Sequence, residues 1–334
     1  MQPESILLLE LMLGLVLYAV LGGADFGVGV WDFNHAFRAS PEEYKFRHDA
    51  MGPVWEANHV WLIFVLMLMW NGFPLAFAAI TQLIMGPLWL GLMGIVFRGA
   101  AYALSGPQAM GSLSRRLWDV VFGLSSVLAP FCFGAAFGVL SKEHPTITFD
   151  RSTWSADIGV WLNLPCCFLG MFAVGICAYI SAAFLTRDAS LQRLANLELL
   201  WRRRALWVGS LCGVMAMAGI AIAWREFPSL FDGLRVRAWP LVLASVASGA
   251  GGLILLALKH YSAACVCVGL AIATVLCGWA VAMYPYFLMP HLTIAQCSSP
   301  KSVIVAMNIS IAIGCLVLAP SLGWLLWLFK NERP

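Results

Sequence analysis

Charged residues are scarce in this sequence, and their scarcity excludes a water-soluble fold. Only 11% of the 334 residues are charged and 61% are hydrophobic, whereas a soluble domain carries about 25% charged residues. Because so few charges cannot cover a surface that faces water, we expect a polytopic membrane protein. The formal net charge of +3 gives no reason to expect a nucleic-acid partner.

Cysteine motifs that bind metals are also missing. No CxxC occurs among the ten cysteines, and most of them lie inside apolar runs, where cysteine behaves as a small hydrophobic residue. The adjacent pair Cys166 and Cys167 has a spacing that seldom allows a disulfide bond. We therefore predict neither a metal site nor a disulfide framework.

Histidine is absent from the middle of every long apolar run. A membrane haem normally takes an axial histidine or methionine from a helix, and a methionine on a helix far more often serves packing. We therefore expect the chain to ligate no haem itself. The six histidines are His35, His48, His59, His144, His260 and His291.

Apolar runs long enough to cross a membrane occur eight times, since a helix needs about 20 residues to span the hydrocarbon core. The predicted fold class is all-α, a polytopic membrane protein with about eight transmembrane helices. The N-terminal segment lacks the basic residues of a cleavable signal peptide, so the first run is expected to be a retained span. The runs are 6–30, 75–103, 118–140, 158–185, 205–224, 239–258, 263–283 and 302–329.

A ninth apolar stretch, 60–70, is shorter than a span and ends at the turn Asn-Gly-Phe-Pro of 71–74. We interpret it as a re-entrant or interfacial helix, and a nine-span chain is the alternative. With eight spans and the N-terminus inside, the arginine cluster 202–204 lies on the cytoplasmic side. No internal repeat or soluble domain is visible, so residues 1–334 are predicted to form a single membrane domain.

Three charged residues stand among apolar neighbours: Asp25, Arg98 and Asp119. A charge at the centre of a lipid-exposed helix costs about 2.5–3.5 kcal/mol, so such groups usually face a protein interior and pair. Each of the three lies near the end of a different span. They are therefore expected to form one buried ion cluster, with Arg98 as its only internal countercharge.

Each of the two acids also has a simpler interpretation. Asp25 follows Gly22 and Gly23 and precedes Gly27, a pattern that equally suits close helix packing beside an interfacial acid. Asp119 near the start of its span suits an acid that is stabilised by the helix dipole. The sequence leaves both interpretations open.

The stretch GPVWEANHVWLI at 52–63 carries the most unusual group of polar residues. Glu56 and His59 are three residues apart and share a helical face, and Trp55 and Asn58 take the adjacent face. A carboxylate and an imidazole in an apolar setting can pass protons, since burial tunes both towards neutral pH. The alternative is an interfacial histidine between two tryptophans, Trp55 and Trp61, at the membrane surface.

Taken together, these motifs resemble subunit II, the smaller subunit, of the cytochrome bd-type quinol oxidases. The similarity covers most of the chain and is strongest before residue 140. The motifs are LGGADFGVGVWD at 21–32, GPVWEANHVWLI at 52–63, FRG at 97–99, RRLWD at 115–119 with AFG at 136–138, and YPYFLMP at 284–290.

The resemblance implies a bacterial enzyme of the cytoplasmic membrane that oxidises a quinol and reduces dioxygen to water. In this family the large subunit holds two haems b and one haem d, together with the quinol-oxidation loop. Small accessory subunits occur, and some members hold a structural quinone in subunit II. Subunit II packs as a quasi-equivalent partner built from two four-helix bundles, which here implies 1–140 and 141–334.

The resemblance also implies roles for individual residues. The family's polar positions, which line proton access and steady the haem-bearing interface, fall on Asp25, Trp55, Glu56, Arg98 and Asp119. Glu56 and His59 are then expected to lie at the subunit interface and to hand protons towards the oxygen-reducing haem.

Three departures mark a divergent branch of the family. Many members carry an acid where this chain has Gly22, and an aspartate where it has Glu56. The segment GAAYALSG after Arg98 replaces an acidic or aromatic stretch, which puts the usual proton access in doubt. A secondary transporter with intramembrane acids is the alternative function, although transporters often carry an inverted repeat that is not visible here.

Overall fold

The computed structural model describes residues 2–35, 41–51, 55–105, 113–144 and 158–331. Within these ranges the chain is almost entirely helical, and eight helices are long and apolar enough to cross a membrane. The predicted all-α class and the count of eight long spans are therefore confirmed. The candidate spans are Pro3–Phe33, Met85–Leu104, Leu113–Leu140, Leu164–Leu191, Ala195–Glu226, Trp239–Ala257, Tyr261–Met283 and Lys301–Leu318.

The first span is interrupted halfway along by a π-helical turn. Helix α1 (Pro3–Leu17) passes into the turn Tyr18–Gly22, and α2 (Gly23–His35) continues from it. A π turn inserts one extra residue into a helix and is often found at functional sites. It rotates every later side chain of α2, including Asp25, relative to α1.

Three shorter helices connect the first span to the second: α3 (Pro41–Met51), α4 (Trp55–Gly72) and α5 (Pro74–Leu83). The predicted span 75–103 is therefore divided, because α5 ends before α6 (Met85–Ser105) begins. Pro87 explains the break: it has no amide hydrogen to donate to the carbonyl of Leu83, four residues earlier.

Helix α4 packs antiparallel along α1. The amide of Asn58 contacts the carbonyl of Leu21, and at the far end Leu7 packs against Gly72. Its 18 residues make a helix about 27 Å long. Its apolar part, Asn58–Gly72, is shorter than the eight candidate spans. The re-entrant or interfacial interpretation therefore stays a prediction, and the contact along α1 favours the nine-span alternative.

This path also corrects the predicted placement of the N-terminus. Leu7 packs in one cluster with Cys297 and Ile304, whereas Arg204 contacts Glu43 at the other end of the molecule. The N-terminus therefore lies on the membrane side opposite to the arginine cluster. An additional crossing between the first span and α6 accounts for the difference.

The remainder of the chain consists of long helices joined by short elements. A small antiparallel hairpin lies between α13 and α14. The elements are α7 (Leu113–Leu140), α8 (Ile158–Trp161), α9 (Leu164–Leu191), α10 (Ala195–Glu226), α11 (Pro228–Val236), α12 (Trp239–Ala257), α13 (Tyr261–Met283), β1 (Tyr286–Leu288), β2 (Leu292–Thr293), α14 (Ile294–Cys297) and α15 (Lys301–Asn331).

Helix α2 lies at the centre of the bundle, in contact with both α7 and α9. Glycines allow these close approaches: a Cβ at Gly27 would overlap the carbonyl of Cys177, and one at Gly29 would overlap the hydroxyl of Ser126. The glycine pattern around Asp25 therefore does serve helix packing. It also brings polar atoms of α7 close to the acid.

Candidate functional site

The buried guanidinium of Arg98 is the centre of the candidate site. Arg98 is 1% exposed, and its Nη2 donates to Oδ1 of Asp25 at 2.8 Å and to the Asp25 carbonyl at 3.1 Å. Its Nε donates to Oγ of Ser126 at 3.1 Å. The arginine thus joins α6 to α2 and α7, and the structure pairs two of the three residues of the predicted ion cluster.

Two aromatic rings complete the surroundings of the ion pair. The Cζ atom of Arg98 lies 5.2 Å from the ring centroid of Phe26 and 4.9 Å from that of Phe122. These cation–π contacts stabilise the guanidinium where water is excluded. Because a pair in such a setting is poorly screened, loss of one partner would leave a costly uncompensated charge.

Asp119 belongs to a different network, so its predicted place in the Arg98 cluster is wrong. Its Oδ1 accepts a hydrogen bond from the hydroxyl of Tyr44 at 3.2 Å and lies 3.7 Å from Nε of Arg115. Arg115 in turn donates to the Tyr44 hydroxyl at 2.6 Å. The physical reason is local, because Arg115 precedes Asp119 by one helical turn.

Tyr44 lies on the short connecting helix α3, and its hydroxyl is held between the charges of α7. Burial raises its pKa to about 12, although the hydrogen bond from Arg115 opposes the shift. The hydroxyl is therefore neutral at physiological pH and donates to Asp119. This contact attaches α3 to the beginning of α7.

A second buried ion cluster, which sequence reasoning missed, shows that Arg98 is not the only internal cation. Arg47 is 1% exposed and donates to Oδ1 of Asp32 at 2.7 Å and to Oε1 of Glu43 at 2.6 Å. Glu43 also pairs with Arg204 of α10. Two acids and two arginines thus join α2, α3 and α10.

Two tryptophan rings contact Arg204 in this second cluster. The guanidinium carbon of Arg204 lies 4.6 Å from the ring centroid of Trp201 and 5.4 Å from that of Trp31. The indole of Trp31 donates to the carbonyl of Ala178 on α9 at 3.0 Å. The four helices α2, α3, α9 and α10 are therefore fixed together at this end.

Two sequence signals pointed to the second cluster. Glu43 and Arg47 are four residues apart on α3, a spacing that pairs side chains on a helix. Asp32 follows Asp25 by seven residues and so lies on the same face of α2. Without the fold, all three resemble loop residues beside a membrane surface.

The polar motif of α4 contacts the π-helical turn of the first span. Asn58 is 8% exposed, and its amide approaches the carbonyl of Leu21 at 3.4 Å. The ring of His59 lies against Tyr18 and Phe26, with centroid distances of 6.1 Å and 5.8 Å. His59 and the Arg98–Asp25 pair thus share Phe26 as a neighbour.

The other residues of the motif are less fully described. Trp61 packs edge-on against Phe64, with ring centroids 6.2 Å apart. The helix includes the backbone of Trp55 and Glu56, but their side chains lie outside the described residues. The predicted role of the Glu56 side chain therefore stays a prediction.

A haem held by this site would need an axial ligand from one of the helices around it. Among the described residues, no group of three or more His, Cys, Asp or Glu side chains is arranged to hold a metal ion. His59 packs against two aromatic side chains, which suits an interior contact rather than an axial ligand. These residues do not fit a haem, and we assign none of them to one.

Comparison with known proteins places this geometry in a family context. A family model described as cytochrome bd terminal oxidase subunit II matches residues 3–329. A solved structure of bd oxidase from Geobacillus thermodenitrificans superposes with a TM-score of 0.76 at 23% identity, covering 100% of both chains. At that identity, the structural likeness supports the fold alone.

Curated relatives agree with the family model. The cytochrome bd ubiquinol oxidase subunit 2 of Bacillus subtilis is 26% identical over 203 residues, or 61% of this chain and 56% of the relative. The cytochrome bd-I ubiquinol oxidase subunit 2 of Escherichia coli K12 is 25% identical over 221 residues, or 63% and 56%. The chain thus spans little more than half the length of the curated relatives it matches.

Proposed function

This chain belongs to the cytochrome bd terminal oxidase subunit II family, and on that premise we propose that it is the small subunit of a membrane quinol oxidase. In this proposal it assembles with a larger, haem-bearing subunit in a bacterial cytoplasmic membrane. The complex transfers electrons from a quinol to dioxygen and forms water. The family match across nearly the whole chain supports this function over the transporter alternative.

The contribution of this chain is a protonatable path to the partner subunit. The observation that carries this proposal is the buried pair of Arg98 and Asp25 beside the ring of His59. Membrane proteins keep such costly groups where they serve an ion or proton pathway. Glu56, one turn before His59, completes the set of groups that exchange protons.

Haem on the partner subunit supplies electron transfer and oxygen binding. The residues of this chain hold and move protons at the contact between the subunits. Asp25 accepts hydrogen bonds from Arg98, which keeps its carboxylate oriented inside the bundle. Glu56 and His59 pass protons along α4 because each accepts one and releases it again.

Charge distribution indicates the side from which the protons come. The end of the bundle where α2 finishes carries Arg115 and the second ion cluster, which includes Arg204. Arg98 also lies nearer to that end of α6 than to the other. Cytoplasmic loops carry an excess of Lys and Arg. Protons therefore reach the site from the cytoplasm.

The purified two-subunit complex provides the test. Glu56→Gln and Asp25→Asn are each expected to slow quinol-driven oxygen consumption by roughly tenfold or more, because a positioned acid or base is removed. The visible haem spectrum of the Glu56→Gln complex is expected to remain normal, which shows that its assembly is intact. Turnover of Asp25→Asn is measured per haem, because that variant leaves the buried charge of Arg98 uncompensated. Wild-type turnover in both variants would exclude a proton path through these residues.

A further inference from the structure

Tyr18 is a buried tyrosine beside the candidate site that the proposed proton path does not include. It opens the π-helical turn of the first span and is 8% exposed. Its hydroxyl has no hydrogen-bond partner among the described residues. Buried hydroxyl groups nearly always have a partner, either protein or ordered water, so this one requires an explanation.

A second unpartnered oxygen belongs to Asp25. Arg98 uses Oδ1 of the carboxylate and the backbone carbonyl, whereas the buried Oδ2 accepts no hydrogen bond from the residues that the structure describes. A carboxylate oxygen without a donor in an apolar interior is costly. Two unsatisfied oxygens, Oδ2 of Asp25 and the hydroxyl of Tyr18, therefore lie in the same span.

The π turn and Gly22 direct the tyrosine towards the acid. Helical side chains normally lean towards the N-terminus, but a Cβ at Gly22 would lie 3.1 Å from Cε2 and 3.7 Å from Cζ of Tyr18. The Tyr18 ring therefore lies beside Gly22, four positions later in the chain. Asp25 follows Gly22 by three residues and so lies on the same helical face, which brings the ring close to the turn that carries the acid.

His59 borders the same space from α4. Its ring centroid is 6.1 Å from that of Tyr18 and 5.8 Å from that of Phe26, the residue after Asp25. Phe26 in turn lies against the guanidinium of Arg98, with the Cζ atom 5.2 Å from the ring centroid. Tyrosine, histidine and carboxylate thus surround one buried region.

We propose that the Tyr18 hydroxyl and Oδ2 of Asp25 bind a buried water molecule beside His59, and that Tyr18 relays protons through it. A buried water needs two to four polar partners, and these two oxygens supply the minimum. In each transfer the hydroxyl donates its proton on one side and accepts another from the other side. Tyr18 therefore stays neutral, and no redox partner is required.

This relay rests on the proposed function and names a further residue in its proton path. Gly22 favours it, since a Cβ there would lie 3.1 Å from the tyrosine ring and would push the ring aside by a few tenths of an ångström. The relay joins the first span to the polar motif of α4.

The test uses Tyr18→Phe in the purified two-subunit complex, because this substitution removes only the hydroxyl. A high-resolution structure of the wild-type complex is expected to show a water within hydrogen-bonding distance of both oxygens, and the variant is expected to lack it. Proton uptake during turnover is expected to slow by roughly threefold to tenfold, the worth of one hydrogen bond, with an unchanged haem spectrum.

Tyr179 on α9 provides a matched control. It is 7% exposed, and its hydroxyl also has no partner among the described residues, but it lies in a different part of the core beside Gly252. The complex that carries Tyr179→Phe is expected to take up protons at the wild-type rate. Equal slowing in both variants would overturn the relay, because a general packing effect would then explain it.

The outcomes separate this inference from the proposed function. If Glu56→Gln slows turnover while Tyr18→Phe takes up protons normally, the relay is wrong and the proposed function stands. If Glu56→Gln and Asp25→Asn both turn over normally, the proposed proton path is wrong and the relay falls with it, whereas the quinol oxidase function stands. A wild-type structure without density between the two oxygens would exclude the water site directly.

Discussion

Arg47 holds Asp32 through two nitrogens at once: Nε lies 2.7 Å and Nη2 2.6 Å from the same carboxylate oxygen. The third nitrogen, Nη1, donates to Glu43, so all three guanidinium nitrogens contact a carboxylate. A buried arginine that is paired in this way fixes geometry rather than adding much net stability. It fastens α3 to α2 directly before α4, the helix that carries Glu56 and His59.

Arg47→Gln tests whether these ion pairs hold α3 against α2. The substitution leaves Asp32 as a buried carboxylate without its main partner, and breaking a buried pair costs about 3–5 kcal/mol. We expect a clear fall in the melting temperature of the purified complex, measured by thermal unfolding. The exposed Lys45 on the same helix provides the control, since Lys45→Gln changes the same charge without burial.

A double variant separates charge from packing at this position. Asp32→Asn combined with Arg47→Gln removes both charges, so no uncompensated ion remains in the interior. The double variant is expected to be more stable than Arg47→Gln alone. Equal losses for the two would show that Asp32 is not the group that makes the arginine substitution costly.

Arg98→Lys tests the planar geometry at the candidate site. A lysine keeps the positive charge but cannot donate in the arginine's fork to Asp25 and Ser126, and it loses most of the stacking on Phe26 and Phe122. We expect a lower yield of assembled complex and slower oxygen consumption, measured on equal amounts of membrane. The exposed Arg116 is the control, and Arg116→Lys is expected to behave as wild type.

The length and apolar character of the long helices made the fold class readable from the sequence. Helix α4 is longer than the apolar stretch 60–70 that the sequence indicates, since it begins at Trp55. The polar residues Asn58 and His59 extend the helix at its beginning, and they are tolerated because α1 offers the carbonyl of Leu21 and the ring of Tyr18. Only the tertiary contact reveals that these positions are interior.

The ion pairs show the same limit of sequence reasoning. Asp25 and Arg98 were expected to pair because both stand among apolar residues, and they do pair. Asp119 was assigned to the same cluster although Arg115, one turn earlier, was the nearer partner. The π turn at Tyr18 left no sequence signal, since one extra residue in a helix changes neither composition nor hydropathy.

Close packing of α2 gives a prediction about glycines. A Cβ at Gly27 would overlap the backbone carbonyl of Cys177 on α9, whereas one at Gly213 would meet nothing within 4 Å. Gly27→Ala is therefore expected to force the two helices apart and to reduce the yield of folded complex severely. Gly213→Ala is expected to be neutral, and a similar loss in both variants would contradict the packing explanation.

His144 gives a prediction about pH at the opposite end of the molecule from the arginine cluster. Burial lowers its pKa, although the nearby carbonyl of Val139, 3.0 Å from Nε2, favours the protonated ring. A lowered pKa means that the unfolded chain binds the proton more readily than the folded chain does. The stability that neutral His144 contributes is therefore complete above the ordinary histidine pKa of about 6.5 and is lost as the pH falls below it.

Thermal unfolding of the complex at several pH values checks this sign. The melting temperature of the wild type is expected to fall between about pH 7.5 and pH 5.5, and His144→Gln is expected to show a shallower fall because its side chain does not titrate. Parallel curves for the wild type and His144→Gln would show that His144 does not carry this pH dependence.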